Sequence, residues 1–199
     1  MEPTEKQQKR IDQIINVALK IFRKEGYKAT TMRAIAKKLG MNQGSLYYYF
    51  NSKADILVEI HRRMMNMVIE QQKEFENLQL SSEQKLAKVI ERILFIQGNY
   101  RDYAYIFLRE FSSLPPAYLK KVREAADDYR KILEKIIVEG IEKKRVKKLN
   151  PKIISFALLG MCNWMAFWYN KRGPVSLPEI TETFSTIFLD GVLERSASK

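Results

Sequence analysis

The chain has one cysteine and one histidine among 199 residues. A single cysteine excludes a disulfide framework, and the two residues together fall short of the four nitrogen or sulfur donors of a closed zinc site. Metalloenzymes and small secreted scaffolds are therefore poor fits. Long apolar runs are scarce too. The one extended greasy stretch, Ile153 to Tyr169, covers 17 positions and carries Ser155 and Asn163. A helix needs about 20 apolar residues to cross a bilayer, so a buried helix is expected there rather than a membrane span. Met1 to Arg10 are polar and charged, without the apolar core of a signal segment, so a cytoplasmic setting without a membrane partner is expected. Apolar and basic side chains are plentiful. Hydrophobic residues make up 46% and aromatics 11%, enough to fill a core and to exclude wholesale disorder. Lys and Arg number 35 against 23 Asp and Glu, a net charge of +12. A basic chain of this kind most often meets nucleic acid. Residues 1–53 hold 11 basic and 4 acidic groups, so more than half of the excess sits in the first quarter.

The apolar pattern is helical throughout. Ile11, Ile14, Ile15, Ala18, Leu19 and Phe22 lie on one face at 3.6 residues per turn, and Gly26 stops that helix. Thr31 is placed to cap a second helix whose apolar side is Met32, Ile35, Ala36 and Leu39, with Arg33, Lys37 and Lys38 facing out and Gly40 at its end. Asn42 is placed to cap a third, very short helix running to Phe50. Two short helices joined by a Gly-containing turn are the sequence form of a helix-turn-helix. From Lys53 onward, further helices are expected from Ser81-Ser82, where Gly98 loosens the end, from Arg101 to Ser112, from Pro115-Pro116 to Ile141, from Asn150-Pro151 and from Leu177-Pro178 to about Leu193. The basic stretch Glu142 to Lys148 reads as a solvated loop, with phosphate binding by Lys143, Lys144, Arg145, Lys147 and Lys148, to coenzyme A or a DNA backbone, as the alternative. The fold class is all-α: a three-helix DNA-binding domain over residues 1–53, then a larger helical ligand-binding and dimerisation domain over 54–199.

Within the third helix, each residue turns about 100°, so Leu46 and Phe50 share an inward face while Tyr48, about 200° from Leu46, points away with Asn42, Gln43 and Ser45 as neighbours. An exposed tyrosine on a basic head suits a DNA groove, where its hydroxyl reaches phosphate and its ring packs on a thymine methyl or sugar. Gln43 carries the donor and acceptor pair that reads adenine. Gly44 costs about 1 kcal/mol of helix propensity relative to alanine, and close backbone approach to a duplex supplies a reason. Tyr47 and Tyr49 are either phosphate contacts or packing between helices.

The stretch TTMRAIAKKLGMNQGSLYYYFNSK, Thr30 to Lys53, resembles the signature of the TetR family of transcriptional regulators through Thr31, Ile35, Ala36, Gly40, Gly44, Ser45, Leu46, Tyr47, Tyr49, Phe50, Ser52 and Lys53, with Leu57 following. The resemblance implies that Thr31, Tyr49 and Lys53 hold phosphates and that Gln43, Gly44, Tyr47 and Tyr48 lie in the major groove. Arg33, Asn42 and Ser45 join them as candidate DNA contacts. Asn42 stands where the family usually has Ser or Thr, and it caps a helix equally well.

Readers of this kind dimerise on pseudo-palindromes. Ile153 to Tyr169 is apolar nearly all round, which requires burial on more than one side. The resemblance implies pairing of the last two helices with those of a twin, through Phe184, Ile187, Phe188, Gly191 and Val192 on the closing one. In between, Tyr100, Tyr103, Phe107 and Phe111 recur at helical spacing as a single stripe beside Arg101, Tyr105 and Arg109. That is either plain core or an apolar groove edged by guanidinium groups, suited to a ligand with a greasy part and an anionic head. The closing part FALLGMCNWMAFWYNKRGPVSLPEI, through Asn163, Trp164, Trp168, Tyr169, Gly173 and Pro174, is similar to a TetR subgroup of fatty-acid-degradation and steroid-catabolism repressors. Some of these carry an arginine where this chain has Phe167 and Asn170; Arg172 or Lys171 is then the substitute. The resemblance implies a repressor released from operator DNA by an acyl-CoA thioester. The ligand candidates are Tyr100, Arg101, Tyr103, Phe107, Arg109, Phe111, Trp164, Trp168, Tyr169 and Arg172, and no cofactor is expected. A multidrug-sensing repressor is the alternative. An acyl-CoA enzyme using His61 and Cys162 is the distant third, with no third catalytic group in view.

Overall fold

The computed structural model describes residues 4–76 and 79–194, with side chains described through 70 and again from 79. The described residues form helices α1 (Glu5–Glu25), α2 (Met32–Lys38), α3 (Gln43–Tyr49), α4 (Lys53–Glu76), α5 (Ser82–Asn99), α6 (Arg101–Arg109), α7 (Pro116–Glu142), α8 (Pro151–Trp168) and α9 (Leu177–Val192), with a 3₁₀ turn at Phe111–Ser113 and no strand. Among them no helix is long and apolar enough to cross a membrane.

Local capping chemistry sets most helix starts. Thr4 and Gln7 form a reciprocal capping box that begins α1 a turn and a half before its apolar pattern does. The Thr31 hydroxyl accepts from the Ala34 N–H at 3.1 Å, Asn42 Oδ1 from the Ser45 N–H at 2.7 Å, and Ser81, Asn150 and Ser176 cap α5, α8 and α9. Gly26 and Gly40, with φ of 86° and 64°, take the left-handed turns that close α1 and the helix-turn-helix corner.

Packing groups the chain into two compact units by a different criterion from the charge and motif that suggest a division at residue 53. The first comprises residues 1–66 and 102–121, the second 67–101 and 122–199. In the first, Ile14, Ile15, Phe22, Ile35, Leu46, Ile56, Leu57 and Ile60 are fully buried, as is Ile106 from α6. In the second, α5 packs against both α8 and α9, around Leu86, Ile90, Leu94, Ile137, Leu158, Cys162 and Met165.

Three expectations are corrected. The aromatic stripe is not continuous, because α5 ends at Asn99, Tyr100 is its cap, and α6 ends at Arg109 before Phe111; only Tyr103 and Phe107 share a helix. Gly98 does not loosen α5. It sits inside the last turn, where a Cβ would come within 2.7 Å of Leu177 Cδ2, so its role is the close approach of the α9 start. The basic loop is not merely solvated: Val146 bridges Leu193, Lys147 Nζ donates to the Gly191 carbonyl at 2.8 Å, and the Glu194 N–H donates to the Arg145 carbonyl at 3.0 Å.

Candidate nucleic-acid interface and effector residues

The α3 surface follows from its two anchors. Leu46 is fully buried and Phe50 nearly so, which leaves the rest of a seven-residue helix facing outward. Asn42, Gln43, Gly44, Ser45 and Tyr47 are exposed, as are Thr31 and Arg33 on α2. Tyr48 is 71% exposed. Its ring stands edge-on to that of half-buried Tyr49, centroids 5.0 Å apart, and its hydroxyl accepts from Gln7 Nε2 at 3.1 Å. Gln43 Nε2 donates to the Tyr47 hydroxyl at 3.5 Å. A Cβ on Gly44 would meet only Asn42 Oδ1, at an ordinary 3.5 Å, so packing within the chain does not demand glycine there, and the bare backbone stays open to whatever lies against the helix.

The hydrogen bonds leave the right atoms for an anionic partner. Thr31 Oγ1 and Asn42 Oδ1 are spent as acceptors on backbone N–H groups, while the Thr31 hydroxyl proton and the Asn42 amide protons are still there to donate. The Tyr48 hydroxyl, having accepted from Gln7, keeps its own proton to give. Gln7 carries no sign of this role in the sequence, where only its position three residues after Thr4 is suggestive.

Lys53 departs from the expected phosphate contact. Its Nζ donates to the carbonyls of Tyr27, Lys28 and Thr30 at 2.7, 3.2 and 2.7 Å, which uses all three of its N–H bonds. It also stands 4.4 Å over the Tyr27 ring. Burial draws its pKa down, with Glu110 pulling the other way. Lys53 therefore fixes the turn that delivers Thr31.

The ten effector candidates fall into both units. In the first, Tyr103 is half-buried and takes a hydrogen bond from Arg63. Arg63 also pairs with Asp12 on α1 at 2.8 Å and Glu59 at 2.7 Å. Burial opposes the Arg63 charge, but its bonds to Glu59 and Asp12 outweigh this and its pKa rises. Phe107 stacks on His61, centroids 4.8 Å apart. His61 is fully buried, neither ring nitrogen has a partner among the described residues, and burial holds its pKa at about 4. Arg109 lies over the Tyr105 ring at 5.3 Å and bonds its hydroxyl. Arg23, paired with Asp102, covers the same ring at 5.5 Å. Phe111 is half-buried in the 3₁₀ turn.

In the second unit Tyr100 is exposed and Arg101 half-buried. Tyr169 is core, and Arg172 is exposed on the turn after α8. Trp168 is partly exposed and stands edge-on to Tyr169, centroids 6.4 Å apart. Trp164 is 64% exposed and packs on Phe167 at 5.2 Å. A part-buried amide pair has no forerunner in the sequence pattern: Gln97 Nε2 donates to Asn163 Oδ1 at 3.1 Å, and the Gln97 carbonyl oxygen is buried with no partner among the described residues.

The outer face of α8 carries Ile153, Phe156, Ala157, Gly160, Trp164 and Phe167, all exposed and spaced three or four residues from one to the next except for one adjacent pair. On α9, Ile187 is 62% exposed and Gly191 is exposed. Phe188 and Val192 turn into the core and Phe184 packs against it, so these three of the five expected pairing residues serve the unit's own interior. Nothing lies within 4 Å of a Cβ placed on Gly160 or Gly191.

Residues 14–60 match the family profile described as bacterial regulatory proteins, tetR family. Residues 79–192 match that of the tetracyclin repressor-like C-terminal domain. The chain belongs to the TetR family. As a TetR-family protein it is a transcriptional regulator and not an enzyme. Burial pushes the Cys162 thiol up to about 12, so that sulfur is no thiolate nucleophile at neutral pH. Among relatives, the fatty acid metabolism regulator protein of Bacillus subtilis is 29% identical over 136 residues, 68% of this chain and 70% of that one. The transcriptional repressor KstR2 of Mycolicibacterium smegmatis is 25% identical over 198 residues, 96% and 94% of the two chains. Among solved structures, AibR in complex with isovaleryl coenzyme A and operator DNA superposes with a TM-score of 0.82 at 20% identity, covering 90% of this chain and 98% of that one.

Proposed function

We propose that this TetR-family regulator is a repressor that binds a pseudo-palindromic operator as a homodimer and is released by a fatty acyl-CoA. The observation that carries the DNA reading is the α3 face, where a tethered and exposed Tyr48 stands among Gln43, Gly44, Ser45 and Tyr47 with hydrogen-bond donors to spare. One seven-residue helix cannot read a unique site, and two-fold pairing supplies the second half-site about one helical turn away or a multiple of it. The apolar outer face of α8 with Ile187 and the bare Gly160 and Gly191 supports that pairing: large side chains to bury, and two positions where a neighbouring backbone approaches closely.

The acyl-CoA reading is supported by the fatty acid metabolism regulator among the relatives and by the isovaleryl coenzyme A in the complex with AibR. In the second unit the candidate contacts are Tyr100, Arg101, Trp168 and Arg172, with Trp164 assigned instead to the pairing face and Tyr169 to the support beneath Trp168; Tyr103, Phe107, Arg109 and Phe111 are candidates of the first unit by itself. An inducer releases DNA only by binding the released arrangement more tightly, and a hundredfold loss of operator affinity needs about 2.7 kcal/mol of that difference. Each buried methylene is worth about 0.8 kcal/mol, so a long acyl chain is sufficient. Titrating acyl-CoAs of increasing length into a protein and operator mixture should dissociate the complex at lower concentration as the chain grows. Release independent of chain length overturns the acyl part, and release by planar cations instead favours a multidrug sensor.

A further inference from the structure

The first turns of α1 carry Lys6, Lys9, Arg10 and Gln13, spaced 3, 1 and 3 and so on one helix face. Together with Tyr49 of α3 they line a surface cleft of about 310 Å³ with no carboxylate among the described lining residues. The cleft adjoins the reading helix by direct contact: Gln7, between Lys6 and Lys9 in sequence, holds the Tyr48 hydroxyl at 3.1 Å, and Arg10 Nη2 reaches Met41 Sδ, in the turn before α3, at 3.6 Å. Any duplex seated against α3 therefore has α1 beside its backbone.

The cations are available. Lys6 is exposed. Lys9 pairs with Glu5 at 2.7 Å, but its side chain and that of Glu5 are 73% and 84% exposed, and a pair so wet holds weakly and exchanges readily for a stronger anion. Arg10 gives one N–H to Gln13 Oε1 at 2.7 Å and retains others of its five. From Lys6 to Gln13 the helix rises about 10 Å, the axial length over which one duplex strand presents about three phosphates.

We infer that this α1 strip is a second DNA-backbone contact, in which Lys6, Lys9 and Arg10 with the Tyr49 hydroxyl neutralise a run of phosphates on a strand flanking the groove occupied by α3. It rests on the DNA-binding reading above and extends the footprint beyond the helix-turn-helix. Phosphate contacts position a protein without reading sequence, so the strip acts alike on operator and unrelated duplex.

The test measures binding to an unrelated duplex over a series of salt concentrations, for the full chain and for the triple variant Lys6→Gln, Lys9→Gln, Arg10→Gln. Removing one cation from a phosphate flattens the plot of log affinity against log salt by about 0.9, so the variant's slope should fall by about 2.7 per head engaged, with roughly tenfold or greater loss of affinity near 0.1 M salt. Lys9→Gln alone takes off about a third of that change. On operator and unrelated duplex the loss should be the same factor. A control removing equal charge from the second unit, Lys135→Gln, Lys148→Gln, Lys152→Gln, should keep the parent slope. An unchanged slope in the α1 variant at an unchanged melting temperature overturns the strip while leaving the DNA reading intact, as does an equal flattening in the control. Failure of the parent chain to bind any duplex overturns both.

Discussion

Gln7 Nε2 donates to the Tyr48 hydroxyl across 3.1 Å, although 41 residues separate them. The bond ties the opening turn of α1 to the most exposed ring of α3 and sets that ring's direction before DNA arrives. Order prepaid in this way is not charged against binding.

Two substitutions at residue 48 separate tether from ring. Tyr48→Phe removes the hydroxyl, and with it the Gln7 tether and the proton left to donate; at about 0.5–1.5 kcal/mol for each hydrogen bond, operator binding should weaken by roughly tenfold. Tyr48→Ala removes the groove contact as well and should lose specific affinity well beyond its loss on unrelated duplex. Fluorescence anisotropy on both duplexes decides; an equal loss on each makes Tyr48 a backbone contact only.

Lys53→Met takes the ammonium from three carbonyls at the end of the α1–α2 turn, of which that of Tyr27 keeps a second donor, the Thr30 N–H at 3.2 Å. Hydrogen bonds to a charged group are worth about 1.5–3 kcal/mol, so urea unfolding should show a loss of about 2 kcal/mol. The salt dependence of DNA binding at temperatures where the variant is folded should match the parent. A flattened slope with unaltered stability would return Lys53 to the phosphate contacts.

His61 predicts an acid-side weakness. Its pKa is about 4 in the folded chain against an ordinary 6.5. As pH falls through about 6.5 the unfolded chain binds a proton that the folded chain refuses, so this group costs nothing above that value and lowers stability progressively down to about 4, by roughly 3 kcal/mol in all. His61→Leu removes both unpartnered nitrogens and should cancel that part of the decline. The readout is the difference between parent and variant unfolding free energies across a pH series, since carboxylates titrate in both alike. A difference that does not vary with pH refutes the buried neutral imidazole.

Trp164→Glu sets a charge on the proposed pairing face. A central tryptophan contributes about 2 kcal/mol or more, and a two-fold interface contains it twice, so the dimer dissociation constant should rise roughly a thousandfold with helix content preserved. Sedimentation equilibrium checks this. A parent chain that is monomeric at micromolar concentration removes the dimer reading.

What can be read from the sequence is what is decided within one or two turns. Thr31, Asn42, Gly26 and Gly40 act on backbone groups three or four residues away, so their capping roles are legible, and with them the helix-turn-helix and the outward face of Tyr48. The broken aromatic stripe is harder to read: Gly98 and the expected helix start at Arg101 bracket the break at Tyr100, where Asn99 Nδ2 turns back to the Phe95 carbonyl, yet the helical spacing of the four rings runs straight across it. Lys53 misleads for a second reason. Its acceptors lie 23 to 26 residues earlier, and only the folded corner brings them to one ammonium. The same holds for the α1 strip, whose cations look like ordinary solvated lysines until Tyr49 is beside them.

Asp102–Lys121 belongs to one compact unit with residues 1–66, held through Arg23–Asp102, the Arg63–Tyr103 bond and the His61–Phe107 stack. A chimera that grafts this head onto another regulator's body by a single splice after α3 or α4 would strip Ile106 and Leu114 from the interior they fill. A transplant that keeps its operator preference has to carry two separate lengths of chain, and sensing modules are interchangeable here only if they bring their own α6 into register with the recipient's α1.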